Sequence, residues 1–206
     1  MASKPVGGAS AEVAVAAAPR PPSAPDTETA LLDAALAEVL EHGIRRTTAS
    51  DIARRARISR QTLYRYWPDA QAVFAALVTR ELLAALPEAP PGPQEVGDLV
   101  DVVVDTADRI RRMPLLDRLR DTDPELLSRY VLERLGTSQR AIHADLARRI
   151  AAAGLGAADP EATAAMVLLI VQSAVQSAPL VAEWLPDDRW RAELRRALAG
   201  YLGGAP

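Results

Sequence analysis

From Leu31 onward the apolar positions of this chain recur at intervals of three and four residues, the repeat of helices that turn one face inward. Leu31, Leu32, Ala35, Leu36, Val39 and Leu40 make the first such face. They predict a helix over residues 27–42, stopped by Gly43 in a left-handed conformation, with His42 in the last turn where a cation suits the helix dipole. Ile52, Ala53 and Ala56 give a short second helix, capped by Thr48 with Asp51 bonding back across its first turn. Arg57 and Ile58 form a turn. Ser59 caps a third helix reaching about Tyr66, and Leu63 closes it onto the second. Pro68-Asp69 opens a fourth helix with Val73, Phe74, Leu77, Leu82, Leu83 and Leu86 apolar, and the PEAPPGP run at 87–93 ends it as a stiff linker.

Past the linker the pattern remains helical. Val96, Leu99, Val100, Val103 and Ile110 mark a helix over 95–113, Pro114 starts a short one, and Asp123-Pro124 caps another to about Leu135. Thr137 or Ser138 caps a longer helix to Ala153, Asp159-Pro160 opens one that ends at about Pro179, and Asp187 caps the last, to about Leu202. The expectation is an all-α protein of nine to ten helices. The segment Ala164–Ala178 is apolar on nearly every side and must be covered on every side, which a second subunit helps to do. Its unbroken apolar run, Ala164–Val171, is shorter than the roughly 20 residues a bilayer requires, so no membrane association is expected. Residues 1–25, rich in Ala, Pro, Ser and Gly, hold too little apolar surface to order themselves and carry no secretory signal, so a cytoplasmic protein is expected. The organisation expected is a disordered tail over 1–25, a helix-turn-helix unit over 26–69 and a larger helical domain over 70–206.

Composition narrows the chemistry. A chain of 206 residues, 49% hydrophobic, is ample for a core, and the absence of cysteine excludes disulfides and thiol chemistry. His42 and His143 are too far apart in sequence to suggest a zinc site, and no P-loop, G-x-S-x-G or G-x-G-x-x-G is present. An enzyme and a cofactor are therefore not expected. Charge points elsewhere. Between Gly43 and Trp67 lie seven arginines (Arg45, Arg46, Arg54, Arg55, Arg57, Arg60, Arg65) and one acid, Asp51, a net +6 in a chain whose net charge is −3. A basic patch on an otherwise acidic protein is the footprint of a phosphate-bearing partner. A short exposed helix bearing arginine, amide and hydroxyl groups suits the major groove of double-stranded DNA.

The segment from Thr29 to Leu86 resembles the tetracycline-repressor (TetR) family of bacterial transcriptional regulators. It carries a helix, then T-x-x-x-I-A from Thr48, a turn, S-x-x-T-L-Y-x-Y-W from Ser59, and a further long helix. Two positions depart from the family pattern: Arg57 stands where the turn usually has glycine, and Ala70 where the fourth helix usually has a phosphate-holding lysine. The resemblance implies a homodimeric repressor that reads a pseudo-palindromic DNA operator and responds to a small molecule. The alternative is a module of the same fold that binds small molecules or partners and no longer reads DNA. Arg60, Gln61 and Arg65 are the base-reading candidates, since arginine pairs with guanine O6/N7 and glutamine with adenine N6/N7. Thr48, Thr62, Tyr64 and Tyr66 are the phosphate anchors, with Arg45, Arg46, Arg57 and Ser59 completing the DNA-binding set. Tyr64 has the alternative of packing inward, and Trp67 that of hinge packing. The small-molecule effector is expected to be mainly apolar. Its candidate lining residues are Val103, Met113, Leu119, Tyr130, Met166, Ile170, Gln172 and Gln176, the last two either facing the ligand or bonding across a dimer interface.

Overall fold

The computed structural model describes residues 24–88, 95–128, 136–154 and 159–203, and no strand occurs among them. The elements are α1 (Ala24–His42), a 3-10 turn (Ile44–Arg46), α2 (Ala49–Ala56), α3 (Arg60–Tyr66), α4 (Ala70–Ala84), α5 (Val96–Arg111), α6 (Pro114–Thr122), α7 (Pro124–Ser128), α8 (Thr137–Ala152), α9 (Pro160–Ser177), a second 3-10 turn (Ala178–Val181) and α10 (Asp187–Gly203). Residues 1–23 of the expected tail, most of the Pro87–Pro93 linker, Tyr130 and the rest of the segment to Leu135 lie outside the described residues, whereas Ala24 and Pro25, expected in the tail, begin α1.

Local chemistry explains where most helices begin. The Thr48 hydroxyl accepts from the Asp51 amide at 3.3 Å while the Asp51 carboxylate accepts from the Thr48 amide at 3.1 Å, so two amides without intrahelical partners are met reciprocally. Ser59 Oγ accepts from Thr62 N, and Asp69 Oδ1 from Ala72 N, capping α3 and α4. Asp159 Oδ1 accepts from Glu161 N and Ala162 N, and Pro160, which has no amide to satisfy, follows it.

Three starts and stops differ from expectation. Thr137 is the first helical residue of α8 and Gly136 the cap; the Gln139 side chain meets the Gly136 amide at 2.7 Å, a role the hydroxyls of Thr137 and Ser138 do not take. Asp187 lies inside α10 and pairs with Arg111 and Arg112 instead of capping. Gly43 does have positive φ (80°), but with ψ of 161° it lies in the region open almost only to glycine rather than in the left-handed helical one. Glycine is required there for a second reason: a Cβ would sit 3.1 Å from Thr122 Cγ2 at the end of α6.

Two buried cores share the molecule. The first gathers Leu31, Ala35 and Val39 of α1, Ile52 of α2, Leu63 of α3, Val73 and Leu77 of α4, and Leu115 and Leu119 of α6. Leu40, expected inward, is exposed at the rim. Glu38 is buried on the same face of α1 and accepts from Arg55 Nε at 2.7 Å, tying α2 to α1. The second core joins α5, α8, α9 and α10 through Leu99, Val103, Ile150, Val167, Trp190 and Leu198. In α9, Ala164, Val167, Leu168 and Val175 are buried, whereas Met166 and Leu169 face out, as do Leu180 and Trp184 just beyond and Tyr201 on α10. The stretch Pro160–Val181 is long and apolar enough, by length and composition, to cross a membrane, which the length of its unbroken apolar run did not convey. Here it packs against α5, α8 and α10.

An ionic cluster fastens α10 to α5. Asp108 accepts from Arg111 Nη2 (2.7 Å), Arg112 Nε (3.1 Å) and Arg191 Nη1 (3.0 Å). Burial pushes the Asp108 carboxyl up, but these three guanidinium bonds outweigh it and hold it below the usual carboxylate value. A carboxyl whose folded value is depressed stabilises the fold fully above its unfolded value, about 4, and loses that contribution as pH falls through the folded value. Asp108→Asn is therefore expected to lower the melting temperature at neutral pH, with the gap to the parent chain closing on acidification from about pH 4 downward. A gap independent of pH, measured by thermal melts across that range, contradicts this.

Candidate functional site

The 3-10 turn, α2 and α3 carry the basic segment, and their internal bonds determine which charges are available to a partner. Arg45 donates to both carboxylate oxygens of Asp123 (Nε 3.0 Å, Nη2 3.2 Å) and reaches Glu125 at 3.5 Å. Arg54 pairs with Asp51 at 2.8 Å. Arg55 pairs with Glu38 and, through Nη2, with Glu41. Among the described residues Arg46, Arg57, Arg60 and Arg65 have no carboxylate partner, and all four are exposed. Counting arginines along the chain overstated the free positive charge, because three of the seven are engaged internally. Arg45 in particular joins the DNA-binding half to the α6–α7 junction.

Helix α3 buries Leu63 and presents Arg60, Gln61 and Arg65 outward, as the sequence led us to expect. Arg60 lies beside Tyr64, its guanidinium 5.9 Å from the ring centre and Nη2 3.5 Å from the hydroxyl. Tyr64 is 43% exposed and does not pack inward. Tyr66, expected as a phosphate anchor, is half-buried against the first core, with its ring 5.6 Å from that of Trp67, itself buried. Thr62 is half-buried, its hydroxyl 2.8 Å from Ser59 Oγ. The Thr48 hydroxyl donates to Asp51 Oδ2 at 2.6 Å, so its hydrogen is directed at a carboxylate. That bond and the Thr48 amide hold the Asp51 carboxyl below its usual value.

The turn between α2 and α3 is left-handed at Arg57, with φ 57° and ψ 35°. Its amide and that of Ile58 close the end of α2 by bonding Arg54 O and Ala53 O. Arg57 is the one non-glycine at positive φ among the described residues.

A second feature lies between the two cores. A cavity of about 150 Å³ is walled by Val78, Leu82 and Leu86 of α4 and its end, Val103 and Ala107 of α5, Leu116 and Arg120 of α6, Ile142 and Arg149 of α8, and Leu168, Gln172 and Gln176 of α9. Of the residues chosen from sequence, Val103, Gln172 and Gln176 line it. Leu119 and Met113 belong instead to the first core, because α6 turns that face toward α1. Met166 is on the exposed side of α9, and Ile170 packs into the second core without reaching the wall. Arg120, Gln139 and Arg149 were missed. The sequence signal for Arg149 was a charged residue three past Leu146 on the same apolar stripe of α8.

Residues 31–77 match the family model described as bacterial regulatory proteins, tetR family. The chain is 39% identical over 181 residues to an HTH-type transcriptional regulator of Mycobacterium bovis, covering 86% of this chain and 95% of that one. Among solved structures, the R. erythropolis transcriptional repressor QsdR from the TetR family superposes with a TM-score of 0.62 at 17% identity, covering 88% of this chain and 96% of that one. A SmeT–triclosan complex does so with a TM-score of 0.52 at 24% identity, covering 84% and 90%. These structural likenesses concern the fold alone.

A residue with a Cβ at left-handed φ is disfavoured by about 1 kcal/mol or more, and glycine is not. Arg57→Gly is expected to stabilise the protein slightly, by at most about 1 kcal/mol, because the added freedom of glycine in the unfolded chain offsets part of the gain. Denaturant unfolding measures it; a loss of stability shows that the arginine side chain supports the turn.

Proposed function

Because this chain belongs to the tetR family of bacterial regulatory proteins and is a helix-turn-helix transcriptional regulator, we propose that it acts as a homodimeric, ligand-responsive repressor on a pseudo-palindromic operator. The observation that carries the reading is α3: a capped helix whose buried side chain is Leu63 and whose outer side offers Arg60, Gln61 and Arg65, flanked by the unpaired Arg46 and Arg57. Arg60, Gln61 and Arg65 read base edges in the major groove, and Arg46, Arg57 and Tyr64 hold phosphates. Thr48, Thr62 and Ser59 offer hydroxyls already engaged in capping, so their part is to present helix ends to the backbone. The protein works in the cytoplasm and needs no enzymatic step.

Dimerisation is supported by the exposed apolar side chains Met166, Leu169, Leu180, Trp184 and Tyr201, which sit on α9, the turn after it and α10. A two-fold pair places two α3 helices on successive half-sites. Effector response is supported by the cavity, whose walls include α4 and α6, both of which also pack in the core that holds α3. The SmeT structure with triclosan gives a precedent in this fold for binding a small molecule. An occupant that moves α4 shifts Asp69, three residues after α3 ends, and thereby the spacing of the two reading helices.

Fluorescence anisotropy on the DNA beside its own gene tests the reading. Affinity should fall steeply with salt as phosphate-bound counterions are released. Arg60→Ala or Arg65→Ala should cost roughly 1–3 kcal/mol and relax preference at one base pair, whereas Arg57→Gly should weaken all sequences alike and reduce the salt slope by about 1. Salt-independent binding refutes DNA recognition. For the dimer, sedimentation at micromolar concentration should give twice the chain mass, and Leu169→Glu should halve it; a parent chain that sediments as a monomer removes the two-fold model.

A further inference from the structure

The cavity wall contains a guanidinium that apolar packing does not account for. Arg149 on α8 is 4% exposed. Its Nε donates to Asp145 Oδ2 at 2.6 Å and Nη2 to the Pro87 carbonyl at 2.7 Å, but Nη1 has no hydrogen-bond partner among the described residues and is closed to solvent. A guanidinium keeps its charge at physiological pH and presents five N–H groups in a rigid fork. A buried donor left unmet is costly, about 1–3 kcal/mol and more when charged. The charge is not fully balanced either, because Asp145 is shared with Arg148. A second cation on the wall, Arg120, pairs with Asp117 at 2.6 Å and lies 3.4 Å from the Val175 carbonyl. The charged side chains on the wall are thus Arg120, Arg149 and Asp145, a net single positive charge. The rest is mostly aliphatic, with the Gln139, Gln172 and Gln176 amides and Ser138 in addition.

These features discriminate among occupants. A hydrocarbon offers the Arg149 guanidinium no acceptor, a cation faces two arginines, and a multiply charged anion brings more charge than the wall balances. A monoanion with an acceptor fork and an aliphatic body meets each requirement. Building on the effector reading above, we propose that the cavity takes an aliphatic monocarboxylate whose carboxylate engages Arg149. A cavity of this size holds a benzene-sized molecule, so the body is on the order of six to eight carbons. Charge-assisted bonds of a guanidinium to a carboxylate are about twice as strong as neutral ones, which gives the acid its advantage over an uncharged analogue. Because Arg149 also holds the Pro87 carbonyl at the end of α4, a carboxylate that reorients it acts directly on the helix that leads to α3.

The test compares octanoate, octanamide and octanol on the full chain by calorimetry, with release of the operator fragment read by anisotropy. The expected result is octanoate binding at least tenfold more tightly than either neutral analogue and releasing DNA at the lowest concentration. Arg149→Met should bring octanoate down to the level of octanol. Should that variant not fold, Arg149→Lys keeps the charge without the fork and should retain part of the preference, while the comparison on the parent chain stands without any variant. Equal affinity for the three compounds, with binding abolished by the cavity-filling Val103→Trp, overturns the carboxylate proposal and leaves the effector cavity standing. No binding of any of them, or binding indifferent to Val103→Trp, overturns the cavity reading and this proposal together.

Discussion

The setting of α2 and α3 on α1 depends on an ion pair whose carboxylate is buried and whose guanidinium reaches the surface. Glu38 on α1 lies within the first core, and its carboxylate is met by Arg55 of α2, with His42 3.5 Å away at the end of the same helix. A carboxylate removed from water without a partner costs several kcal/mol, so the pair specifies one rotational setting of α2 on α1 more than it adds stability. That setting, together with Ile52, places the left-handed residue at the end of α2, and the direction of α3 follows from it. Leu63 then needs only to fill the space left beneath it.

The two cores meet through shared helices. Leu77 of α4 and Leu115 and Leu119 of α6 lie in the first core, while Leu82 and Leu116 reach the cavity bordering the second. A division of the chain at residue 69 follows the sequence motif, but packing does not break there. A cavity at a seam between cores is well placed to transmit: two of its walls, α4 and α6, have their other faces packed in the first core, while α5, α8 and α9 belong to the second.

Much of this was legible from sequence, for reasons that differ by element. Caps are local chemistry: Thr48 with Asp51, Ser59, Asp69 and Asp159 are each followed within three residues by the amide they bond, and each occurs where expected. The sequence is silent where a residue's partner is distant. Nothing near Arg45 in the chain announces its bond to Asp123, and Asp187 read as a cap because Arg111 is far along the chain. Met113 and Leu119 were assigned to a ligand because periodicity identifies an inner face without saying which of two cores it enters. The left-handed turn at Arg57 was signalled only by the resemblance, in which glycine usually stands there; the buried Arg149 had no such signal, since its meaning depends on the Pro87 carbonyl past the end of α4.

The contact at Gly43 has a mechanical consequence. With no Cβ there, the backbone after α1 abuts Thr122, the last residue of α6, and little room remains for the two to come closer. Separation would have to open the first core, where Leu115 and Leu119 of α6 are buried with α1, and to break the Arg45–Asp123 pair and the bond from Arg118 to the Glu41 carbonyl. The joint is therefore held from both sides: a steric stop at Gly43 prevents closer approach, and the shared core prevents separation, so α6 and the end of α1 keep a fixed spacing.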